Sequence, residues 1–542
     1  MKETRCLRVV VVLLVILGGL QMALTVRADH LDAIGVTLLR AVTTNVDGTG
    51  IRVAQPEGGA PAFEVNPTMS WVQQPVNRFT YITSSGTANT FPNGLGSEST
   101  HADEVASNFY GLPAGIATNV THVDNYDANF FIRVSEPTSN NYVASLPSSN
   151  INDRVVNQSF VFYNLDTNNT PVNVPINEQK AIDTAYDNYA AQYNTLFVSG
   201  GGNGAPTYIS PPATCYNGIG VGVYGGQSSI GPTLDNGRAK PDITAPEDFT
   251  SFSAPEVSGA AAVLMQAGLR GDGGSSTNSA ADIRTVKALL LNGAIKPLDW
   301  ANNPPYPLDP RYGTGILNVF NSYEQLAGGQ HSFIVNTTVS TNSPHPPTGA
   351  SGTIGALSGW DFNAISSTAS MDSVNHYYFN VSNAANSATF TATATLVWNR
   401  QLNKTSINNL DLFLYNVASS NLVDSSTSAV DNVEHLWLPQ LPNGRYDLQV
   451  LKHGGNNTVS SSESYALAFE FFSMSLRVAP SGTNVVLTWP VYPDGFVVQT
   501  ASGLTPPVVW STLNATSFVT NNQNQVTLGA GNTSQFFRLQ RP

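Results

Sequence analysis

The stretch over 254–269 constrains the fold more than any other part of the chain. Val257, Ala261, Leu264 and Met265 recur at helical spacing, so one face of a helix is buried. Ser258, Gly259, Ala260, Ala261 and Ala262 are all small, so the helix can sit close against a neighbour. That combination predicts a central core helix, and a central helix needs a large domain around it. The chain of 542 residues is long enough for that, and exceeds the size at which one core stops growing. Two or three domains are expected.

The surrounding pattern predicts an α/β domain with a mainly parallel sheet flanked by helices over 29–327. β-like runs at 51–54, 155–159 and 195–198 alternate with helical spans at 102–109, 179–192, 254–269 and 279–292. After Gly328 and Gly329 the character changes. Short runs at 376–381, 394–398 and 410–415, separated by Asn, Ser, Gly and Pro, predict a β-sandwich over 328–473. Further runs at 485–489, 495–499 and 536–539 predict a small β-rich domain over 474–542.

Residues 1–28 have the layout of a secretory signal: Lys2, Arg5 and Arg8, an apolar run over 9–20, then Val26 and Ala28 ahead of a cleavage site. The run is shorter than the roughly 18 residues of a spanning helix, so no stable membrane insertion is expected after cleavage. A secreted protein, extracytoplasmic or at the cell surface, follows. Only 11% of residues are charged, which places uncharged polar groups over most of the surface. The net charge of −13 argues against a nucleic-acid partner. With Cys6 removed, Cys215 has no partner for a disulfide within the chain and is expected to be a packed apolar residue.

Ser251 lies just ahead of the central helix, where free backbone N–H groups favour developing negative charge and so suit acyl transfer. Taken alone, Thr250, Ser251 or Ser253 would be read as a helix cap. The longer run Thr250-Ser251-Phe252-Ser253-Ala254-Pro255-Glu256-Val257-Ser258-Gly259 resembles the nucleophile motif of the subtilisin-like serine peptidases. Lys240-Pro241-Asp242-Ile243-Thr244-Ala245-Pro246 resembles the strand before it, and Tyr312-Gly313-Thr314-Gly315-Ile316 the turn that ends that family's catalytic domain.

A serine hydroxyl needs a base. His101, in Ser99-Thr100-His101-Ala102-Asp103-Glu104-Val105-Ala106, resembles the histidine that leads a helix in this family, although two carboxylates follow it here. Alone, the segment would equally be an ordinary helix capped by Ser99 or Thr100. The resemblance puts Glu57 where the family has an aspartate, with Asp47 as a fallback better read as a turn residue. It also implies an oxyanion role for Asn203, after the strand and glycines at 197–202. By the same resemblance Ser159, Phe160, Gly200, Gly201 and Gly202 line the substrate, with Phe160 narrowing a pocket that has no acidic residue.

The resemblance therefore implies a serine endopeptidase acting on proteins or peptides, expected from the signal-like segment to be secreted, and a monomer is expected. Phe249 and a short loop before Thr250 depart from the family pattern, and too little sequence precedes the first strand for a folded propeptide. No cofactor is expected. Calcium stays open through Asp361, Asp411, Asp424 and Asp431, whose spacing is not that of a dense ligand loop. Two alternatives stay open: a non-catalytic relative that binds peptide or cell-surface material, and a glycan binder centred on the sandwich.

Overall fold

The computed structural model describes residues 30–540 except 303–304, 342, 383–388, 457, 521–522 and 532–533. The signal sequence expected over 1–28 lies outside the described residues. The first sheet is built from β1 (Arg52–Glu57), β2 (Phe79–Thr83), β3 (Gly86–Ala88), β4 (His122–Asp127), β5 (Val155–Gln158), β6 (Leu196–Gly200), β7 (Ile219–Val223) and β8 (Ile243–Ala245). Its order is β8-β7-β6-β5-β1-β4-β2-β3, parallel throughout except where β3 turns back on β2. Every residue of β5, β6, β7 and β8 is buried, as expected for a parallel sheet covered on both faces.

The helices that matter for the site are α1 (Thr100–Phe109), α2 (Ile176–Tyr193), α3 (Thr250–Arg270), α4 (Ile283–Asn292) and α5 (Val319–Ala327). Helix α3 is the expected central one, buried almost all round. The close approach that its small residues foretold is seen at Gly259, where a Cβ would lie 2.7 Å from Ile116 Cβ and 3.1 Å from the Phe109 carbonyl oxygen. It starts earlier than the pattern implied, with Ser251 inside its first turn. The expected helix over 279–292 is divided into Thr277–Ala280 and α4, because Asp282 accepts a hydrogen bond from the Arg284 N–H at 3.0 Å and starts a new helix there.

Beyond α5 the strands are antiparallel. They are β9 (Val335–Ser340), β10 (Ser358–Ser366), β11 (Met371–Val381), β12 (Thr389–Trp398), β13 (Leu410–Asn416), β14 (Leu422–Ser426), β15 (Val433–Pro442), β16 (Gly444–Lys452) and β17 (Ser462–Phe472). They form a five-stranded sheet, β9-β11-β16-β13-β14, and a four-stranded sheet, β10-β17-β12-β15. Tyr377, Leu412 and Val450 of the first share a core with Leu396, Leu467 and Phe469 of the second. The other face of the four-stranded sheet packs on α4, so Val397, Ala466 and Ala468 belong to the same core as α3. A four-stranded and a three-stranded sheet follow within 477–540. No helix among the described residues is long and apolar enough to cross a membrane.

Candidate active site

Strands β1, β5 and β6 run parallel side by side, and their carboxyl ends deliver Glu57, Ser159 and the turn Gly200–Asn203 to one edge of the sheet. This is where open α/β sheets place ligands. The amino ends of α1 and α3 bring His101 and Ser251 to the same region: the His101 ring lies 6.0 Å from the ring of Phe252, the residue after Ser251.

Glu57 ends β1 and is buried, and its Oε2 lies 3.0 Å from His101 Nδ1. A carboxylate there requires the proton on Nδ1 and leaves Nε2 free to accept one. Glu57 Oε1 accepts from Gln55 Nε2 at 2.8 Å. Gln55 Nε2 also donates to the Ala102 carbonyl, and its Oε1 accepts from the Tyr110 hydroxyl at 2.6 Å. Both carboxylate oxygens are thus held, and a fully buried chain from Tyr110 through Gln55 fixes the orientation of Glu57. Sequence reasoning missed Gln55 and Tyr110. The available signal was two polar residues, 55 and 57, on one side of a strand otherwise buried.

Ser99 caps α1 by accepting from the Ala102 N–H, which leaves His101 free to face Glu57. Burial disfavours the imidazolium, but attraction and a hydrogen bond from Glu57, with Glu104 adding to them, outweigh it and raise the His101 pKa above its ordinary value. The two carboxylates that follow His101 behave differently. Asp103 turns into the protein and accepts from the Asn66 N–H at 2.6 Å, and burial pushes its acid up to about 8.

Ser251 occupies the second position of α3. Its Oγ lies 3.4 Å from the Ser159 carbonyl oxygen, and among the described residues no hydrogen bond joins it to His101. Its carbonyl has a separate partner. Pro255 has no N–H to return to the Ser251 carbonyl, and Ser159 Oγ donates to it instead at 2.7 Å. Ser159 itself is held by Asn157 Nδ2, and Asn157 by Ser258 of α3.

Phe249 precedes α3 and has no side chain able to cap it. Asn203 does so from another segment: its Oδ1 accepts from the Thr250 N–H at 2.9 Å and from Thr250 Oγ1 at 2.8 Å. Its Nδ2, on an exposed residue, has no protein partner among the described residues and is available as a donor. The glycines position this turn. Gly202 has φ +110° and would place a Cβ 2.7 Å from Ser229 Oγ, and its N–H donates to Thr250 Oγ1 at 3.3 Å. Gly200 and Gly201 are buried against Thr250 and Ile209.

Phe160 is 6% exposed and its ring packs edge-on against Phe162 at 6.0 Å, within the apolar core. Asp47 accepts from the N–H and hydroxyl of Thr49, as a turn residue does, and Cys215 is buried with its thiol pushed up to about 12 by burial. Among the described residues the four aspartates considered for calcium share no hydrogen-bond partner. Asp361 accepts from Tyr377, Asp411 pairs with His453, Asp424 meets the Ser425 N–H, and Asp431 accepts from Ser428 and the Ala239 N–H.

Residues 135–315 match the family model of the subtilases, peptidase family S8. The matched span contains Ser159, Gly200–Asn203 and Ser251, while Glu57 and His101 lie ahead of it. No curated protein matches the chain by sequence. Solved structures similar to about half of it include the prenylagaramide maturation protease PagA, at 20% identity over 54% of this chain and 98% of that one, TM-score 0.35. The patellamide maturation protease PatA is similar at 21% identity over 52% and 98%, TM-score 0.34. A protease from Pseudoalteromonas arctica PAMC 21717 is similar at 16% identity over 52% and 91%, TM-score 0.33. Residues 135–315 are thus similar to the subtilases, a family of serine peptidases, and the match covers about a third of the chain.

Proposed function

We propose that this protein is a secreted serine endopeptidase that hydrolyses peptide bonds through an acyl-enzyme on Ser251. The observation that carries the reading is the buried Glu57–His101 hydrogen bond at the carboxyl edge of the sheet to which α3 delivers Ser251. Glu57 holds the imidazole with its proton on Nδ1 and stabilises the charged form. Rotation about the Cα–Cβ bond of Ser251 frees Oγ from the Ser159 carbonyl. As Oγ attacks the scissile carbonyl carbon, His101 Nε2 takes its proton. The oxyanion receives hydrogen bonds from Asn203 Nδ2 and the Ser251 N–H, both near the positive end of α3. Collapse expels the amine with the proton from His101, and water attacks the acyl-enzyme by the same steps in reverse.

Ser159 and the glycines at 200–202 flank the substrate strand in this reading, while Phe160 packs inward and does not line it. Export rests on the signal-like residues 1–28, and the mature amino terminus is Asp29. The antiparallel region over 328–473 is a β-sandwich domain, and 474–542 a small β domain. The protein acts as a monomer on proteins or peptides.

A fluorophosphonate probe tests the assignment. Wild-type protein acquires one adduct, mapped to Ser251 by mass spectrometry, and Ser251→Ala acquires none. An unlabelled wild type, or labelling that survives in Ser251→Ala, would overturn it. Cleavage within internally placed bonds of end-blocked peptides tests the endopeptidase part separately.

A further inference from the structure

Three side chains with metal-ligating atoms meet at the amino-terminal half of α3, outside the Ser251 constellation. Glu256 projects from the second turn of α3, Glu247 comes from the loop four residues before Ser251, and His30 comes from the amino-terminal segment. His30 Nε2 touches Glu256 Oε1 and lies 3.8 Å from Glu247 Oε1, and one ligand atom from each of the three falls within 4.8 Å of the others. Glu256 is 3% exposed and its Oε2 is buried with no hydrogen-bond partner. Its only ion-pair partner among the described residues is His30. A carboxylate in that setting is costly unless a cation meets it.

We propose that His30, Glu247 and Glu256 form a binding site for a zinc-class divalent cation, which clasps the amino-terminal segment to the helix carrying Ser251. The donor set decides the class. One imidazole and two carboxylates are the mixed nitrogen and oxygen ligands that zinc accepts, whereas calcium and magnesium take oxygen alone and more of it. Three protein ligands also suit a four-coordinate ion that keeps one position for water. Tetrahedral zinc with bonds of about 2.0–2.2 Å sets its ligand atoms about 3.4 Å apart. Glu247 therefore moves inward slightly, and the His30–Glu256 contact opens to admit the ion.

The site is coupled to the nucleophile. Asn108 Nδ2 donates to Glu247 Oε1 at 3.1 Å and to the Phe252 carbonyl at 3.4 Å, so the position of Glu247 is shared with backbone adjoining Ser251. The ion compensates two carboxylates with a 2+ charge where apo protein has one imidazole, and it stabilises the folded state by mass action.

The test uses Ser251→Ala protein, which cannot digest itself, with Zn2+ and Co2+ as probes. Elemental analysis after dialysis against Zn2+ is expected to find one equivalent, with a higher Tm and visible absorption when Co2+ replaces it. His30→Asn and Glu256→Gln each weaken binding by more than the roughly 10–100-fold that loss of an outer-shell partner costs. Circular dichroism checks that each variant folds, and if Glu256→Gln does not, His30→Asn and the more exposed Glu247→Gln decide. Absence of stoichiometric Zn2+ in the parent protein, or binding left unchanged by His30→Asn and Glu247→Gln, would overturn the proposal. Labelling of wild-type Ser251 by fluorophosphonate is read independently, so the two assignments stand or fall separately.

Discussion

At the scale of single residues, the relation between Glu57 and His101 sets a measurable property. In the proposed mechanism His101 acts as a base only when neutral, and its pKa lies above the ordinary 6.5 because Glu57 and Glu104 outweigh burial. A raised base pKa keeps the imidazole protonated to higher pH. The acidic limb of kcat/KM against pH is therefore expected above pH 6.5, with activity rising as pH increases through it. Glu104→Gln removes one of the raising influences, so its limb moves to lower pH while the plateau stays close to wild type. A limb below 6.5 in the wild type, or one that Glu104→Gln leaves in place, would show that His101 is not the titrating base. Glu57 is buried and doubly held, and Gln55 is a positioning residue that keeps the carboxylate pointed at Nδ1.

At the scale of elements, α3 is started by a residue from another segment and completed by a third. Asn203 supplies the cap that Phe249 cannot, and the same side chain offers Nδ2 outward. The two functions separate by substitution. Asn203→Ala is expected to cost about 1 kcal/mol of stability through the lost cap, and about 100–1000-fold in kcat through the lost donor. Asn203→Asp keeps the accepting oxygen, so it retains the Tm of wild type while losing activity at least as severely. Equal stability losses in both variants would refute the capping argument. Pro255 poses a related problem one turn into the helix, and Ser159 Oγ answers it at the Ser251 carbonyl. Ser159→Ala should destabilise by about 1–3 kcal/mol, the cost of a buried group left unsatisfied. In a Pro255→Ala background, where the backbone at position 255 regains its N–H, the same change should cost much less. A double-mutant cycle from chemical denaturation reads the coupling directly, and strict additivity would mean that the two residues act independently.

For the whole molecule, the antiparallel region is joined to the parallel sheet by a shared core and by buried polar contacts. Asn292, at the end of α4, accepts from Thr393 Oγ1 at 2.9 Å and Thr395 Oγ1 at 3.0 Å, and donates to Gln325 at 2.9 Å. Farther along the same boundary, Asn217 donates to the Arg400 carbonyl and the Ala239 N–H donates to Asp431. A boundary of this kind predicts one thermal transition for the whole chain. Asn292→Ala should lower the Tm of that transition as a whole, by an amount equivalent to about 2 kcal/mol. Two resolved transitions, with only one moved by Asn292→Ala, would show that the regions on either side unfold independently.

Local pattern in the sequence determined the elements themselves. Helix α3, its small packing face, the alternation that makes the parallel sheet, and the change to antiparallel strands after Gly329 all follow from spacing and residue size over short windows, whereas Ser251 is singled out by the resemblance of the motif around it. Tertiary structure decided what those elements exchange across the chain. It set the 3.0 Å approach of residues 57 and 101, the cap that residue 203 gives residue 250, the hydroxyl of residue 159 that completes a carbonyl next to proline, and the inward packing of Phe160. It also brought His30 to Glu247 and Glu256, more than two hundred positions apart. The physical reason is one of range. Propensity and periodicity act between residues a few positions apart, whereas hydrogen bonds and burial act between whatever the packed core brings within a few ångströms.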